Sequence, residues 1–124
     1  MKLSDYVIQF LAQHGIRHIF MLAGGGAMHL NDSLGQCKDI RPVCCLHEQA
    51  CAMSAEGYAR INGLGVALVT TGPGGTNTVT GVAGAWLDSI PCIFISGQVQ
   101  ISQLSKNVRQ TGSQELDIVS IVKP

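Results

Sequence analysis

Four short apolar runs, each followed by a glycine-rich or polar junction and then by a helical pattern, set the strongest limit on this fold. Residues 18–23, 41–46, 65–70 and 90–96 read as strands. Helical periods fill the gaps between them. A parallel strand pair needs a long crossover connection, and a helix is its usual form. The expected fold class is therefore α/β, a three-layer αβα arrangement with a mostly parallel sheet covered on both faces.

The helices follow from periodicity. Ser4 is positioned as an N-cap for a helix with Leu3, Val7, Ile8, Leu11 and Ala12 on one face, stopped at Gly15. A second helix starts near Ala27, carries Leu30 and Leu34 inward and ends near Gly35. Residues 48–61 hold Ala50, Ala52, Ala55 and Ala59, small side chains that suit close packing against a neighbour. A further helix after residue 77 carries Val79, Val82, Ala83, Trp86 and Leu87. Residues 98–112 are polar and irregular, a loop, and 114–122 reads as a short helix. The strand at 41–46 reads as buried.

Composition narrows the function classes. Eight Lys/Arg balance eight Asp/Glu in 124 residues, with 46% hydrophobic side chains. That excludes a disordered tail, and with no basic run it argues against nucleic-acid binding. Only 13% of residues are charged, about half the usual ~25%, which points to surface that is covered by something else. No apolar run approaches membrane-spanning length, and the N-terminus lacks a signal-peptide core. The five cysteines contain no CxxC pair, which reads as reduced thiols in a cytoplasmic protein, not disulfides or zinc ligands.

In an open α/β sheet, ligands sit beyond the carboxyl ends of the strands. Three features fall there: Gly24–Gly26, His47-Glu48 and the glycine loop at 71–77. A dinucleotide site is one reading, because Glu48 follows Gly26 by 22 residues. The glycine spacing departs from that fingerprint at His29 and Asn77, and no Gly-Lys-Ser/Thr follows. Glu48 at a helix start is either a simple dipole-stabilising acid or, if desolvated, the acceptor of a short bond from a protonated ring nitrogen. His47 is a neighbour at the site or a surface histidine at a cap. His14 and His18 read as solvated, and Glu56 and Tyr58 as packing or surface residues.

Several strings resemble the thiamine-diphosphate enzymes of the acetolactate synthase type. These are His47-Glu48-Gln49-Ala50, Ala55-Glu56-Gly57-Tyr58-Ala59-Arg60, the loop at 71–77 with its continuation 80–83, Asp88-Ser89-Ile90-Pro91, Ile95-Ser96-Gly97-Gln98, and Gln114-Glu115 with Asp117 and Lys123-Pro124. The resemblance covers nearly the whole chain in order. It implies an N-terminal pyrimidine-binding domain over 1–124 with a thiamine-diphosphate-binding-type fold, incomplete at its C-terminal end. The resemblance leads us to expect the central and diphosphate-binding domains to lie outside this chain.

By the same resemblance, Glu48 hydrogen-bonds the aminopyrimidine ring and so promotes loss of the thiazolium proton, whose carbon then attacks a 2-oxo acid. Gly25 and Gly26 match the loop beside the thiazolium and substrate. Pro73, Gly74 and Asn77 match the loop near the pyrimidine, and Gln114 matches a glutamine near the substrate. Leu22-Ala23-Gly24, Met28-His29 and Ser113 depart from the acetolactate synthase pattern and leave related lyases open.

The implied cofactor is thiamine diphosphate with Mg2+. The metal is held by a domain outside this chain, with no metal ligands here, and FAD is an option in the full-length enzyme. The implied partner is the diphosphate-binding domain of a neighbouring subunit in a homodimer or homotetramer, and the implied pathway is branched-chain amino acid biosynthesis. This chain alone is expected to be catalytically silent. A non-catalytic partner domain and a nucleotide-binding α/β module are the alternatives.

Overall fold

The computed structural model describes residues 1–104 and 108–123. Residues 105–107, part of the loop expected over 98–112, and Pro124 lie outside the described residues. Four strands, β1 (His18–Met21), β2 (Arg41–Cys44), β3 (Gly65–Val69) and β4 (Cys92–Ser96), form one sheet in the order β2-β1-β3-β4. Every pairing is parallel, with Phe20 opposite Val43 and Ala67, and Ala67 opposite Phe94. The chain runs outward from β1 to β2, crosses back to β3, and continues to β4. The loops after β1 and β3 therefore leave in opposite directions, which opens a crevice between them at the carboxyl edge.

The pleat divides the core in two. Ile19, Met21, Val66 and Leu68 pack on one face with Ile8 and Leu11 of α1 (Leu3–Gln13) and Leu34 of α2 (Met28–Gln36). Their neighbours in sequence, Phe20, Ala67 and Val69, pack on the other face with Cys51 and Ala55 of α3 (Glu48–Asn62). Successive strand side chains point to opposite faces, so two helix layers need only one sheet. The expected three-layer fold is what forms.

The alanine-rich α3 lies against α5 (Val79–Leu87) at a distance only small residues permit. A Cβ on Gly81 would strike Ala52, and one on Gly65 would strike the Ala55 carbonyl. Between β3 and α5 lies a single turn of helix, α4 (Pro73–Thr76), and α6 (Ile118–Val122) closes the described chain.

Five expectations are corrected. Ser4 does not cap α1. Lys2 precedes the helix, and Ser4 is buried in its first turn with its hydroxyl 2.8 Å from Ser33 on α2. The cap comes from Asp5, whose carboxylate accepts the Lys2 backbone N–H at 3.1 Å. Leu3, expected inward, is exposed.

The strand at 41–46 is not buried. It stops at Cys44 and is the sheet edge, where Pro42, lacking an N–H, is tolerated. On α5 the contact face is Gly81 and Ala85, and Trp86 and Leu87 face outward. The last helix starts at Ile118 and leaves Gln114 outside it, in a positive-φ conformation.

The five cysteines are free thiols in very different settings. Cys51 is fully buried, and burial, reinforced by Cys45 and Glu48, pushes its thiol up to about 12. Cys44 is exposed. At pH 8, alkylation followed by peptide mass spectrometry should label Cys44 readily and Cys51 only after unfolding, since the thiolate is the nucleophile. Comparable labelling of both in the native protein would contradict this packing.

Candidate functional site

All four strands deliver a loop to the carboxyl edge, and the loop after β3 ties the others together. Thr70 Oγ1 accepts the Gly26 N–H at 3.1 Å, and Cβ atoms on Gly24 or Gly26 would run into Thr70 and Thr71. A Cβ on Gly97, after β4, would strike the Gly26 carbonyl. Gly72 has φ +56° and lies against the Gln114 carbonyl. A residue with a side chain rarely adopts that backbone conformation.

Glu48 is the first residue of α3 and is only 9% exposed. Its helix start is capped by His47, whose Nδ1 accepts the Gln49 N–H at 3.1 Å. His47 is thus the cap itself, with Nδ1 as acceptor and the ring proton on Nε2. The positive end of α3 favours a carboxylate at this position. Asn77, at the end of α4, donates from Nδ2 to Glu48 Oε2 at 2.9 Å. Glu48 Oε1 accepts no hydrogen bond among the described residues. One carboxylate oxygen is therefore oriented and the other is available to a donor from outside.

The remaining candidates surround a cleft of about 660 Å³ lined by Gly25, Gly26, Thr71, Ser96, Gly97 and Gln114, among others. Glu48, Pro73, Gly74 and Asn77 do not line it. The expected single cluster is therefore two adjoining parts joined by residues 70–77. Gly26 and Gly74 are required by packing against threonines, whereas a Cβ on Gly25 would meet nothing within 4 Å. Pro73 opens α4 at its first helical position, where a missing N–H costs nothing. His18, expected in solvent, is half-buried with its Nδ1 3.1 Å from the Tyr58 hydroxyl.

Sequence reasoning passed over the packing role of Thr70 and Thr71, and Ser96, whose hydroxyl donates to the Thr70 carbonyl at 3.0 Å. A threonine pair between an apolar strand and a glycine loop was the available signal. Among the described residues, no three His, Cys, Asp or Glu gather to hold a metal ion.

The family model described as thiamine pyrophosphate enzyme, N-terminal TPP binding domain, matches residues 1–121. This chain belongs to that family. As a thiamine pyrophosphate enzyme N-terminal domain it is 42% identical over 122 residues to the acetolactate synthase large subunit of Buchnera aphidicola subsp. Schizaphis graminum. It is 40% identical to the acetolactate synthase large subunit of Lactococcus lactis and 39% to the isozyme 3 large subunit of Escherichia coli. Each match takes in 98% of this chain but only 20–21% of the relative, so the chain spans about a fifth of the length of these relatives. The resemblance seen in the sequence is thereby established, and membership takes the place of the nucleotide-binding alternative.

Two glycines of this thiamine pyrophosphate enzyme domain differ in what packs against them. Gly26→Ala should lower the melting temperature, because Thr71 stands where the methyl would go. Gly25→Ala should leave the melting temperature unchanged, since a Cβ there would meet nothing within 4 Å. A Gly26→Ala protein as stable as its parent would contradict the contact with Thr71.

Proposed function

We propose that this chain is the pyrimidine-binding part of a thiamine-diphosphate-dependent carboligase or decarboxylase acting on 2-oxo acids, most like acetolactate synthase. One observation carries the reading: a buried Glu48 carboxylate at a helix start, one oxygen fixed by Asn77 and the other open. That donor set fits an aminopyrimidine ring, which offers a protonatable nitrogen to a carboxylate. When bound, thiamine diphosphate supplies an electron-accepting thiazolium ring.

The chain's own residues act around that ring. Glu48 Oε1 holds a proton on the ring nitrogen it faces. Asn77 fixes the carboxylate plane, so little reorganisation is needed as charge shifts. Gly25 leaves space for the cofactor, and Gln114 offers an amide to substrate in the adjoining cleft. Magnesium and the diphosphate are proposed to be held by a diphosphate-binding domain of a neighbouring subunit in a homo-oligomer, in keeping with the lack of a three-residue His, Cys, Asp or Glu cluster among the described residues. The exposed Trp86 and Leu87 and the low charge are consistent with covered surface. No helix is long and apolar enough to cross a membrane among the described residues, and five free thiols fit a reducing cytoplasm. A place in branched-chain amino acid biosynthesis is proposed from the relatives alone.

Proton exchange tests the reading. In the full-length protein with magnesium and thiamine diphosphate, the thiazolium proton should exchange with D2O far faster than for free cofactor, by quenched-flow NMR. Exchange at the free-cofactor rate would overturn it.

A further inference from the structure

Five polar or charged residues are buried among the described residues: Ser4, Ser33, Glu48, Thr71 and Thr78. Three are spent on the fold. The Ser4 and Ser33 hydroxyls lie 2.8 Å apart and join α1 to α2, and Thr78 Oγ1 donates to the Gly75 carbonyl at 2.6 Å. Glu48 has one oxygen committed to Asn77 and one open. Thr71, only 3% exposed, has a hydroxyl with no hydrogen-bond partner among the described residues. Asn31 Oδ1 is unpaired too, but that residue is half-buried, does not line the cleft and spends its Nδ2 on the Gly24 carbonyl.

The two open groups belong to one loop. Glu48 is tied to the far end of the run 71–77 through Asn77, and Thr71 is its near end. Thr71 lines the cleft with Gly25, Gly26 and Gln114. Its Oγ1 stands where a Gly26 side chain would be, so the missing Cβ of Gly26 is what admits the hydroxyl to the cleft wall. The backbone behind it is fixed, because the Thr71 carbonyl accepts the Gly74 N–H at 3.1 Å. A buried hydroxyl without a partner is a standing cost to the fold, and an acceptor arriving from outside recovers it.

We infer that the Thr71 hydroxyl is a substrate-binding group that donates a hydrogen bond to the ketone oxygen of the 2-oxo acid; this rests on the thiamine-diphosphate reading above. A ketone oxygen only accepts, so the hydroxyl is the donor. Attack at the carbonyl carbon moves electron density onto that oxygen. A donor already aimed there binds it more tightly as the charge develops, which speeds the step and not merely the encounter. Glu48 and Thr71 then divide the work, the carboxylate serving the cofactor ring and the hydroxyl serving the substrate.

The test uses the full-length protein with magnesium and thiamine diphosphate, and a panel of 2-oxo acids from glyoxylate to phenylpyruvate. Thr71→Val keeps the shape and removes the hydroxyl. Because that hydroxyl has no partner in the fold, melting temperature should not fall, and thiazolium proton exchange should match the parent. The single-turnover rate at saturating 2-oxo acid should drop about ten- to a hundredfold, the range for a bond to a group that gains charge. Half-saturation should stay within about twofold of the parent, since the bond strengthens after binding. Thr71→Ser keeps the hydroxyl and should retain most of the rate. Thr71→Val at the parent's rate overturns the inference. So does a loss confined to half-saturation, which would put the bond on the carboxylate, and so does equal damage by Ser and Val, which would show a packing role. A parent that exchanges the thiazolium proton but consumes none of the panel also overturns it. Exchange at the free-cofactor rate in the parent defeats the cofactor reading, whereas normal exchange with an unaltered Thr71→Val defeats this inference alone.

Discussion

Glu48→Gln in the full-length protein should lower turnover by roughly 10²–10⁴-fold, the range a positioned acid–base group contributes. The change is nearly isosteric, and a glutamine oxygen can still accept from Asn77 Nδ2, the bond seen at 2.9 Å. What is lost is the negative charge that stabilises a proton on the facing ring nitrogen. Melting temperature should move little, since the site is at a helix start where the cap is His47 and not Glu48.

Two companions keep the test sharp. Glu48→Asp retains the charge but withdraws it by one methylene, so a partial loss is expected. Asn77→Asp sets a second carboxylate against Glu48, and like charges this close raise one of the two pKa values. Activity of that variant should recover as pH falls and one carboxyl takes a proton. Unchanged turnover in Glu48→Gln would remove Glu48 from the mechanism, whatever the other variants did.

What the sequence disclosed depended on how local each cause is. Strand–helix alternation and the two-face pleat are local patterns, so four parallel strands and two helix layers were legible. The Glu48–Asn77 pair was legible only as two separate candidates, because 29 residues separate them and the contact depends on how α4 turns. Ser4 misled for a tertiary reason: Ser33 on α2 takes its hydroxyl, and Asp5 caps in its place.

The strand at 41–46 looked buried because every residue after Arg41 is apolar, yet hydropathy cannot say which strand ends up at the edge. Trp86 and Leu87 are the same case on a helix. The alanine-rich α3 chose Gly81 and Ala85 as its contacts because small residues let helices approach, and the large apolar ones were left outside. The low charge fraction is consistent with that outcome. Its exposed apolar groups, Trp86 at 69% and Leu87 at 80% among them, are surface that charge would otherwise occupy.

Gly72→Ala should be the most damaging single methyl in the chain. Two independent penalties meet there. The backbone at φ +56° and ψ −108° is open to glycine and costs other residues on the order of 1–3 kcal/mol. The added methyl also collides with the Gln114 carbonyl, a backbone group that cannot rotate away, for about another 1–3 kcal/mol. Together these reach about 2–6 kcal/mol against a typical domain stability of about 5–15 kcal/mol.

Relief must come from moving residue 114 or the turn into α4, so Gln114 or Asn77 is displaced in either case. The variant should therefore lose urea resistance and ligand binding together. Gly57→Ala is the control, a glycine within α3 whose Cβ would meet nothing within 4 Å. There the methyl should stabilise by about 0.5–1 kcal/mol through helix propensity. Urea midpoints shifting in opposite directions are expected, and a Gly72→Ala protein as stable as its parent would show that residues 72 and 114 do not meet as described.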